Sequence, residues 1–151
     1  MAGALSLCND ELPDGSTLVI SGSGGGLGHL GLQLAARLKN RKKLKIIAID
    51  TGSTKHAFSL DLGADAFIDF KTEDVVKRVM ELTNGEGATV AIVVPAATDA
   101  FDLAVEYLKY TGTMICVGIT GFAYRFPLSP TFLGHKGRLK CLQGSLNHWE
   151  C

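Results

Sequence analysis

The strongest constraint in this sequence is a glycine-rich segment that lies between an apolar run and an amphipathic run. The apolar run is TLVIS at Thr17–Ser21, and GSGGGLG follows it at Gly22–Gly28 with five glycines in seven residues. After the glycines, apolar residues recur at helical spacing over Leu27–Leu38. The segment therefore predicts a strand, a turn of bare backbone and a helix in direct succession.

The same alternation of strand-like and helix-like segments continues along the rest of the chain. It is typical of βαβ units, in which a parallel sheet carries helices on both faces. We expect an α/β fold of the Rossmann type, a doubly wound parallel sheet of six strands in the order 3-2-1-4-5-6. The predicted strands are Thr17–Ser21, Ile46–Asp50, Ala66–Phe70, Val90–Val94, Thr113–Val117 and Lys140–Gln143, and the predicted helices are Leu27–Leu38, Thr54–Leu62, Asp74–Leu82 and Thr98–Lys109.

Composition limits the number of domains and the classes of partner. With 151 residues, 46% of them hydrophobic, we expect a single domain at 1–151, with a lead-in at 1–16 and the sheet and helices at 17–147. Fifteen basic and fifteen acidic residues balance, so no nucleic-acid partner is expected. We also expect no membrane partner and a cytoplasmic location, because no leader pattern and no apolar run of about 20 residues is found. The four cysteines are widely spaced, which predicts reduced thiols and no metal site.

The glycine turn has the features of a dinucleotide-binding site. Glycines at a strand-to-helix turn let a pyrophosphate approach the backbone N–H groups at the helix N-terminus. Asp50 closes the second predicted strand about 20 residues beyond the loop, where an acid accepts hydrogen bonds from ribose hydroxyls. A carboxylate there also repels a 2′-phosphate, which favours NAD over NADP. The alternative is that Asp50 only caps the next turn.

Two dehydrogenase families carry a loop of this kind. The segment Gly22–Gly28 fits the G-x-x-x-G-x-G loop of short-chain dehydrogenases, which also need a catalytic Tyr-x-x-x-Lys. No tyrosine here has a lysine four positions later, as residues 111, 114 and 128 are Thr, Met and Leu. The short-chain interpretation therefore lacks its catalytic pair.

The chain more closely resembles the zinc-dependent medium-chain alcohol dehydrogenases of the yeast and fungal type. The likeness is carried by ISGSGGGLGHLGLQLA, by IAID followed by Lys55, by LGADAFIDF, by YLKYTGTMICVGI and by GSLN. It runs from about Ala2 to about Asn147, which is nearly the whole chain. The resemblance identifies the chain with the coenzyme domain of that family.

The resemblance implies a role for individual residues. It places the glycine loop under the pyrophosphate, an acid and a lysine on the adenosine ribose, and the ends of two later strands along the cleft from the adenine-ribose side to the nicotinamide side. Residues 144–146 would close the far edge of the cleft. Lys55 could instead be a solvated residue of a helix. Val94 and Val117 would also suit the core of a strand. The implied cofactor-binding residues are Gly22, Gly25, Gly26, Leu27, Asp50, Lys55, Val94, Val117, Ile119 and Ser145.

The resemblance also implies what the chain by itself lacks. The family carries its catalytic zinc on a separate domain, and its last zinc ligand is a Cys before an Ala-Gly pair. Met1 stands at that position here. We therefore expect a truncated domain without zinc, and no zinc-dependent alcohol oxidation by the chain alone, because the Lewis acid is missing. NAD binding at the ancestral site is a hypothesis.

Two other functions stay open at this stage. The first is a non-redox enzyme, such as a cyclase or isomerase, that takes an apolar small molecule in the strand-end cleft. Its catalytic residues are unknown, and the weak candidates are His29, Thr120, Tyr124 and Arg125. The second is an interaction module, because a truncated domain exposes apolar surface and a sheet edge. We therefore expect a homodimer.

Overall fold

The computed structural model describes residues 12–118 in full and residues 138–141 by their backbone. Strands and helices alternate through this part of the chain, as the sequence pattern predicts. The elements are β1 (Thr17–Ser21), α1 (Gly26–Lys42), β2 (Lys45–Asp50), α2 (Ser53–Asp61), β3 (Ala66–Asp69), α3 (Val75–Leu82), β4 (Ala88–Val93), α4 (Thr98–Tyr107), β5 (Leu108–Cys116) and β6 (Arg138–Cys141).

The strands form one parallel sheet. Residues 12–118 supply five of the six predicted strands, and these lie in the order β3-β2-β1-β4-β5. The backbone of β6 pairs in parallel with β5 at the open edge, and it overlaps the predicted strand Lys140–Gln143 at 140–141. Residues 142–143 lie outside the described part of the chain. The prediction of a parallel, doubly wound α/β sheet is confirmed, and it brings the carboxyl ends of β1, β2 and β4 to one edge.

The sheet is buried on both faces. Leu18 and Ile20 of β1 face a core cluster that contains Leu32 of α1, whereas Val19 faces the cluster that contains residues of α3 and α4. All three β1 side chains are fully buried. Strands covered on both sides need apolar residues at every position, which is why these strands read as continuous apolar runs.

The first helix is longer than predicted. The sequence pattern ends α1 at Leu38, but α1 continues through the basic residues after it to Lys42. It ends where Lys43 adopts a left-handed conformation and donates its N–H to the carbonyl of Lys39. Basic residues in the last turn face the negative end of the helix dipole, so they favour the helix rather than end it.

The boundary between α4 and β5 also differs from the prediction. The helix ends at Tyr107, not at Lys109, and β5 begins at once. The pairing of β4 with β5 then shifts, because Thr111 adopts a left-handed conformation with φ of 66°. Gly112 fits this irregularity, since a Cβ there would lie 2.9 Å from the carbonyl oxygen of Ala88.

Candidate functional site

The glycine loop has two positions at which a side chain does not fit. Gly22 has a φ of +76°, and a Cβ on it would lie 2.8 Å from Cγ of Pro95. A Cβ on Gly28 would lie 1.9 Å from the carbonyl oxygen of Gly22, because the first turn of α1 packs directly on the loop. These two glycines are required by backbone conformation and by close packing.

The N-terminus of α1 opens toward the same loop. Its N-cap residue, Gly25, is extended and has no side chain to bond the helix amides. The first intrahelical hydrogen bond runs from the N–H of His29 to the carbonyl of Gly25, at 3.0 Å, so the amides of residues 26–28 precede the ladder. A Cβ on Gly26 would meet no atom within 4 Å. The positive end of the helix therefore faces open space, which suits an anionic group.

Asp50 lies at the end of β2 with its carboxylate held by three donors. Oδ2 accepts from the N–H of Gly24 at 2.9 Å, and Oδ1 accepts from the N–H of Thr51 at 2.8 Å and from Nζ of Lys55 at 2.7 Å. Its side chain is 7% exposed, whereas that of Lys55 is 45% exposed. The carboxylate is thus held beside the glycine loop by two backbone N–H groups and one exposed lysine.

A second carboxylate holds the turn that leads into α2, the helix that contains Lys55. Asp69 pairs with Asp50 across β2 and β3, and its two oxygens accept from the N–H groups of Gly52 and Lys71, each at 3.0 Å. The bond from Gly52 is the main reason why the pKa of Asp69 is lowered, followed by the bonds from Lys71 and the Thr51 hydroxyl. Sequence reasoning missed Asp69, although an acid at the end of the neighbouring strand was a readable signal.

A buried pair of hydroxyl groups connects the glycine loop to α2. The Oγ atoms of Ser23 and Ser59 lie 3.0 Å apart, and both residues are fully buried. Each hydroxyl therefore depends on the other for a hydrogen bond in a place without water. This contact was also missed, since no spacing rule connects two serines 36 positions apart.

These groups surround a cavity of about 510 Å³ at the carboxyl edge of the sheet. Its walls come from the ends of β1, β2 and β4, from Phe70 after β3, and from the facing sides of α3 and α4. Its volume is in the range of small-molecule sites, about 300–1,000 Å³. The predicted cofactor residues Gly22, Gly25, Asp50, Lys55 and Val94 all line it.

The other predicted residues divide into three groups. Gly26 and Leu27 begin α1, next to the cavity but not in its wall. Val117 is partly buried and packs on the core cluster of β1 and α1, as Val94 also does. Nδ1 of His29 donates to the carbonyl of Gly25 at 3.0 Å, as a helix-start residue does, and His29 does not line the cavity. The remaining candidates lie outside the described residues: Ile119, Thr120, Tyr124, Arg125 and Ser145.

Residues 12–118 contain neither a cluster of metal ligands nor a helix that could span a membrane. No group of three or more His, Cys, Asp or Glu side chains within residues 12–118 is arranged to hold a metal ion. In the same part of the chain, no helix has the length and apolar character needed to cross a membrane.

Comparison with known proteins decides the family of this fold and site. A family model described as zinc-binding dehydrogenase matches residues 26–151. The chain belongs to the zinc-binding dehydrogenase family. The resemblance to zinc-dependent alcohol dehydrogenases is therefore confirmed.

Individual relatives agree with this family. The chain is 38% identical over 122 residues to alcohol dehydrogenase 2 of Emericella nidulans, covering 76% of this chain and 32% of the relative. It is 35% identical over 112 residues to alcohol dehydrogenase 1 of the same fungus, covering 73% of this chain and 31% of the relative. The alcohol dehydrogenase of the archaeon Aeropyrum pernix superposes with a TM-score of 0.79 at 33% identity, over 91% of this chain and 38% of that structure. This zinc-binding dehydrogenase chain thus spans about a third of the length of its curated relatives.

Proposed function

We propose that this chain binds NAD(H) in the cavity at the carboxyl edge of its sheet. The observation that carries the proposal is the fixed carboxylate of Asp50, 2.9 Å from the N–H of Gly24 and beside the open N-terminus of α1. A fixed acceptor and a row of free amides are the two groups that a nucleoside diphosphate needs.

The pyrophosphate would lie at the start of α1. The open space at Gly26 gives it room, and the amides of residues 26–28 give it donors. The positive end of a 17-residue helix would stabilise its charge. Gly22 and Gly28 hold the N-terminus of α1 in place, because they let the loop and the first turn of the helix pack in close contact.

The adenosine ribose would lie against Asp50 and Lys55. Oδ2 of Asp50 accepts one hydrogen bond within the protein and can accept a second from a ribose hydroxyl, while the exposed Lys55 can turn toward the ribose. A 2′-phosphate would bring its negative charge against the buried carboxylate of Asp50, so NAD(H) is favoured over NADP(H). The Asp69 turn supports this half of the site by holding the start of α2.

The nicotinamide half of the proposed site rests on the family resemblance. By that resemblance Val94, Val117 and Ile119 would line the cleft from the adenine-ribose side to the nicotinamide side, in a sheet of six strands in the order 3-2-1-4-5-6, and Ser145 would belong to the segment that closes the cleft. Bound NAD supplies a hydride acceptor, and the residues of this chain orient it. We expect no zinc-dependent alcohol oxidation by the chain alone, since the family carries its zinc ligands on another domain. Ethanol oxidation by the pure chain with added zinc would contradict this.

Titration with NADH tests the proposal. The wild-type chain should show saturable enhancement of nicotinamide fluorescence, and Asp50→Ala should weaken binding by about 10–100-fold, as expected for lost hydrogen bonds to a charged acceptor. Asp61→Ala is the matched control, because it removes the same charge at the exposed end of α2. NADPH should bind to the wild type more weakly than NADH does, and this preference for NADH should be lost in Asp50→Ala. No saturation at millimolar NADH would overturn the proposal.

The homodimer, the interaction module and the non-redox cyclase or isomerase stay predictions.

A further inference from the structure

The pairing of β5 with β6 brings two cysteines into register. Cys116, the last residue of β5, pairs with Cys141, the last residue of β6. The two strands run parallel, so both cysteines lie at the carboxyl end of the sheet. They are 25 positions apart in the sequence, and this wide spacing does not show that they are neighbours in the fold.

The register also places the two cysteines on one face of the sheet. Paired residues of neighbouring strands share a face, and the face alternates from one residue to the next along a strand. Met114 and Cys116 belong to the core cluster that contains residues of α3 and α4, whereas Ile115 belongs to the cluster that contains residues of α1. Cys141 is therefore placed on the α4 side of the sheet, together with Cys116.

The spacing of the strands suits a covalent bond between the two residues. Neighbouring strands of a sheet lie about 4.8 Å apart. The Cα atoms of a disulfide usually lie about 4.4–6.8 Å apart. Cys116 is a thiol in this structure and is buried, with 8% of its surface exposed. The backbone that carries this thiol therefore already has the spacing that a disulfide to Cys141 needs.

We propose that Cys116 and Cys141 form a reversible dithiol–disulfide site, which exchanges with a low-molecular-weight disulfide such as oxidised glutathione. The thiolate of one cysteine attacks the small disulfide, which forms a mixed disulfide and releases one small thiol. The thiolate of the other cysteine then attacks the cysteine sulfur of the mixed disulfide, which closes the protein disulfide and releases the second small thiol. The two cysteines lose two electrons and two protons, and the small disulfide is reduced to two thiols.

The fold should favour this bond strongly. The folded strands hold the two residues in register, whereas in the unfolded chain they are joined only by the 24 residues between them. Closing such a flexible loop costs conformational entropy, which the folded chain has already lost. The site uses neither the glycine loop nor Asp50, so the inference does not rest on nucleotide binding and is tested without it.

Glutathione redox buffers test the proposal on the double variant Cys8→Ser/Cys151→Ser, which keeps only this pair of cysteines. The variant is equilibrated with reduced and oxidised glutathione at a series of ratios, once in buffer and once in concentrated urea. After acid quenching and alkylation, trypsin releases Cys116 in residues 110–125 and Cys141 in residues 141–151, so the linked pair is recognised by its mass. The ratio at half oxidation gives the effective concentration of one thiol at the other, which should be at least about tenfold higher in buffer than in urea.

The control is Cys141→Ser in the same background, which should take up one glutathione and give no linked peptides. Three outcomes would overturn the proposal. They are no linked peptides from the folded chain, linked peptides found only in a covalent dimer on a non-reducing gel, and an effective concentration in buffer no higher than in urea. If the double serine variant fails to fold, Cys8→Ala/Cys151→Ala replaces it under the same criteria.

Discussion

A Cβ atom at Gly28 would lie 1.9 Å from the carbonyl oxygen of Gly22. The first turn of α1 therefore rests on the loop that precedes it, and only a residue without a side chain permits this. Two positions earlier, a Cβ at Gly26 would meet no atom within 4 Å. Gly28 thus permits close packing of α1 on the loop, whereas Gly26 borders open space.

Gly28→Ala should destabilise the chain and abolish NADH binding together. The added methyl forces the backbone of Gly22 and the start of α1 apart, and overpacking of this kind costs about 1–3 kcal/mol. Urea unfolding followed by circular dichroism measures the change in the free energy of unfolding. A variant as stable as the wild type would show that loop and helix are not in the contact described.

Gly26→Ala tests the open space at the start of α1 without the steric clash that Gly28→Ala produces. Alanine is favoured over glycine in a helix by up to about 1 kcal/mol, so the variant should be as stable as the wild type or slightly more stable. NADH affinity should nevertheless fall, because the methyl occupies the room proposed for the pyrophosphate. Unchanged NADH affinity would mean that the pyrophosphate does not lie over Gly26.

The buried hydroxyls of Ser23 and Ser59 predict a strong coupling energy. Ser59→Ala leaves the Ser23 hydroxyl buried without its partner, which should cost about 1–3 kcal/mol. The double substitution to alanine removes both polar groups and should cost less than the sum of the two single changes. A double-mutant cycle in urea measures this, and additive free energies would contradict the hydrogen bond.

The sequence predicts the strands better than it predicts the breaks between elements. Strand β1 agrees at both ends, because an apolar run bounded by a glycine leaves little choice. The end of α4 could not be predicted, because the segment after Tyr107 keeps a helical pattern locally. It is the pairing with Ala88 on β4 that draws Leu108 into the sheet, and that partner is 20 residues away.

The sequence likewise predicts only part of the candidate site. Asp50 and the glycine loop follow from their spacing, because strand, turn, helix and acid lie close together along the chain. Asp69 and Ser59 come to the site through the pairing of β2 with β3 and the packing of α2, which spacing does not show. Tyr107 reads as an ordinary core residue, since only the arrangement of α3 and α4 reveals that its hydroxyl has no partner among the described residues.

Asp69→Asn should destabilise the turn between β2 and α2 at neutral pH. The ionised carboxylate accepts from two backbone N–H groups, which lowers the pKa of Asp69 below its ordinary value of 3.8. A lowered pKa means that this stabilisation is present above about pH 4 and is lost as the pH falls through the folded-state pKa. The thermal midpoint of the variant should therefore lie below that of the wild type at pH 7 and approach it in acid.

The control for the Asp69 prediction is Asp61→Asn, which removes a carboxylate from the exposed end of α2. Its effect on the thermal midpoint should be smaller at pH 7. A difference between Asp69→Asn and the wild type that stays constant down to pH 2 would show that the carboxylate charge does not hold the turn.

Tyr107→Phe should make the chain more resistant to alkali. Burial raises the pKa of Tyr107 above its ordinary value of 10.0, so the folded chain keeps this proton while the unfolded chain releases it. The wild type is fully stabilised by this group below about pH 10 and loses that stability as the pH rises toward the folded-state pKa, by about 1 kcal/mol at pH 11. The free energy of unfolding of the variant, measured in urea, should rise relative to that of the wild type between pH 9 and 11.

Ile92→Val is the control, because it changes an equally buried side chain that has no titratable proton. It should shift the free energy of unfolding by the same amount at every pH. If Tyr107→Phe behaves like Ile92→Val, the hydroxyl of Tyr107 is not buried away from water as described.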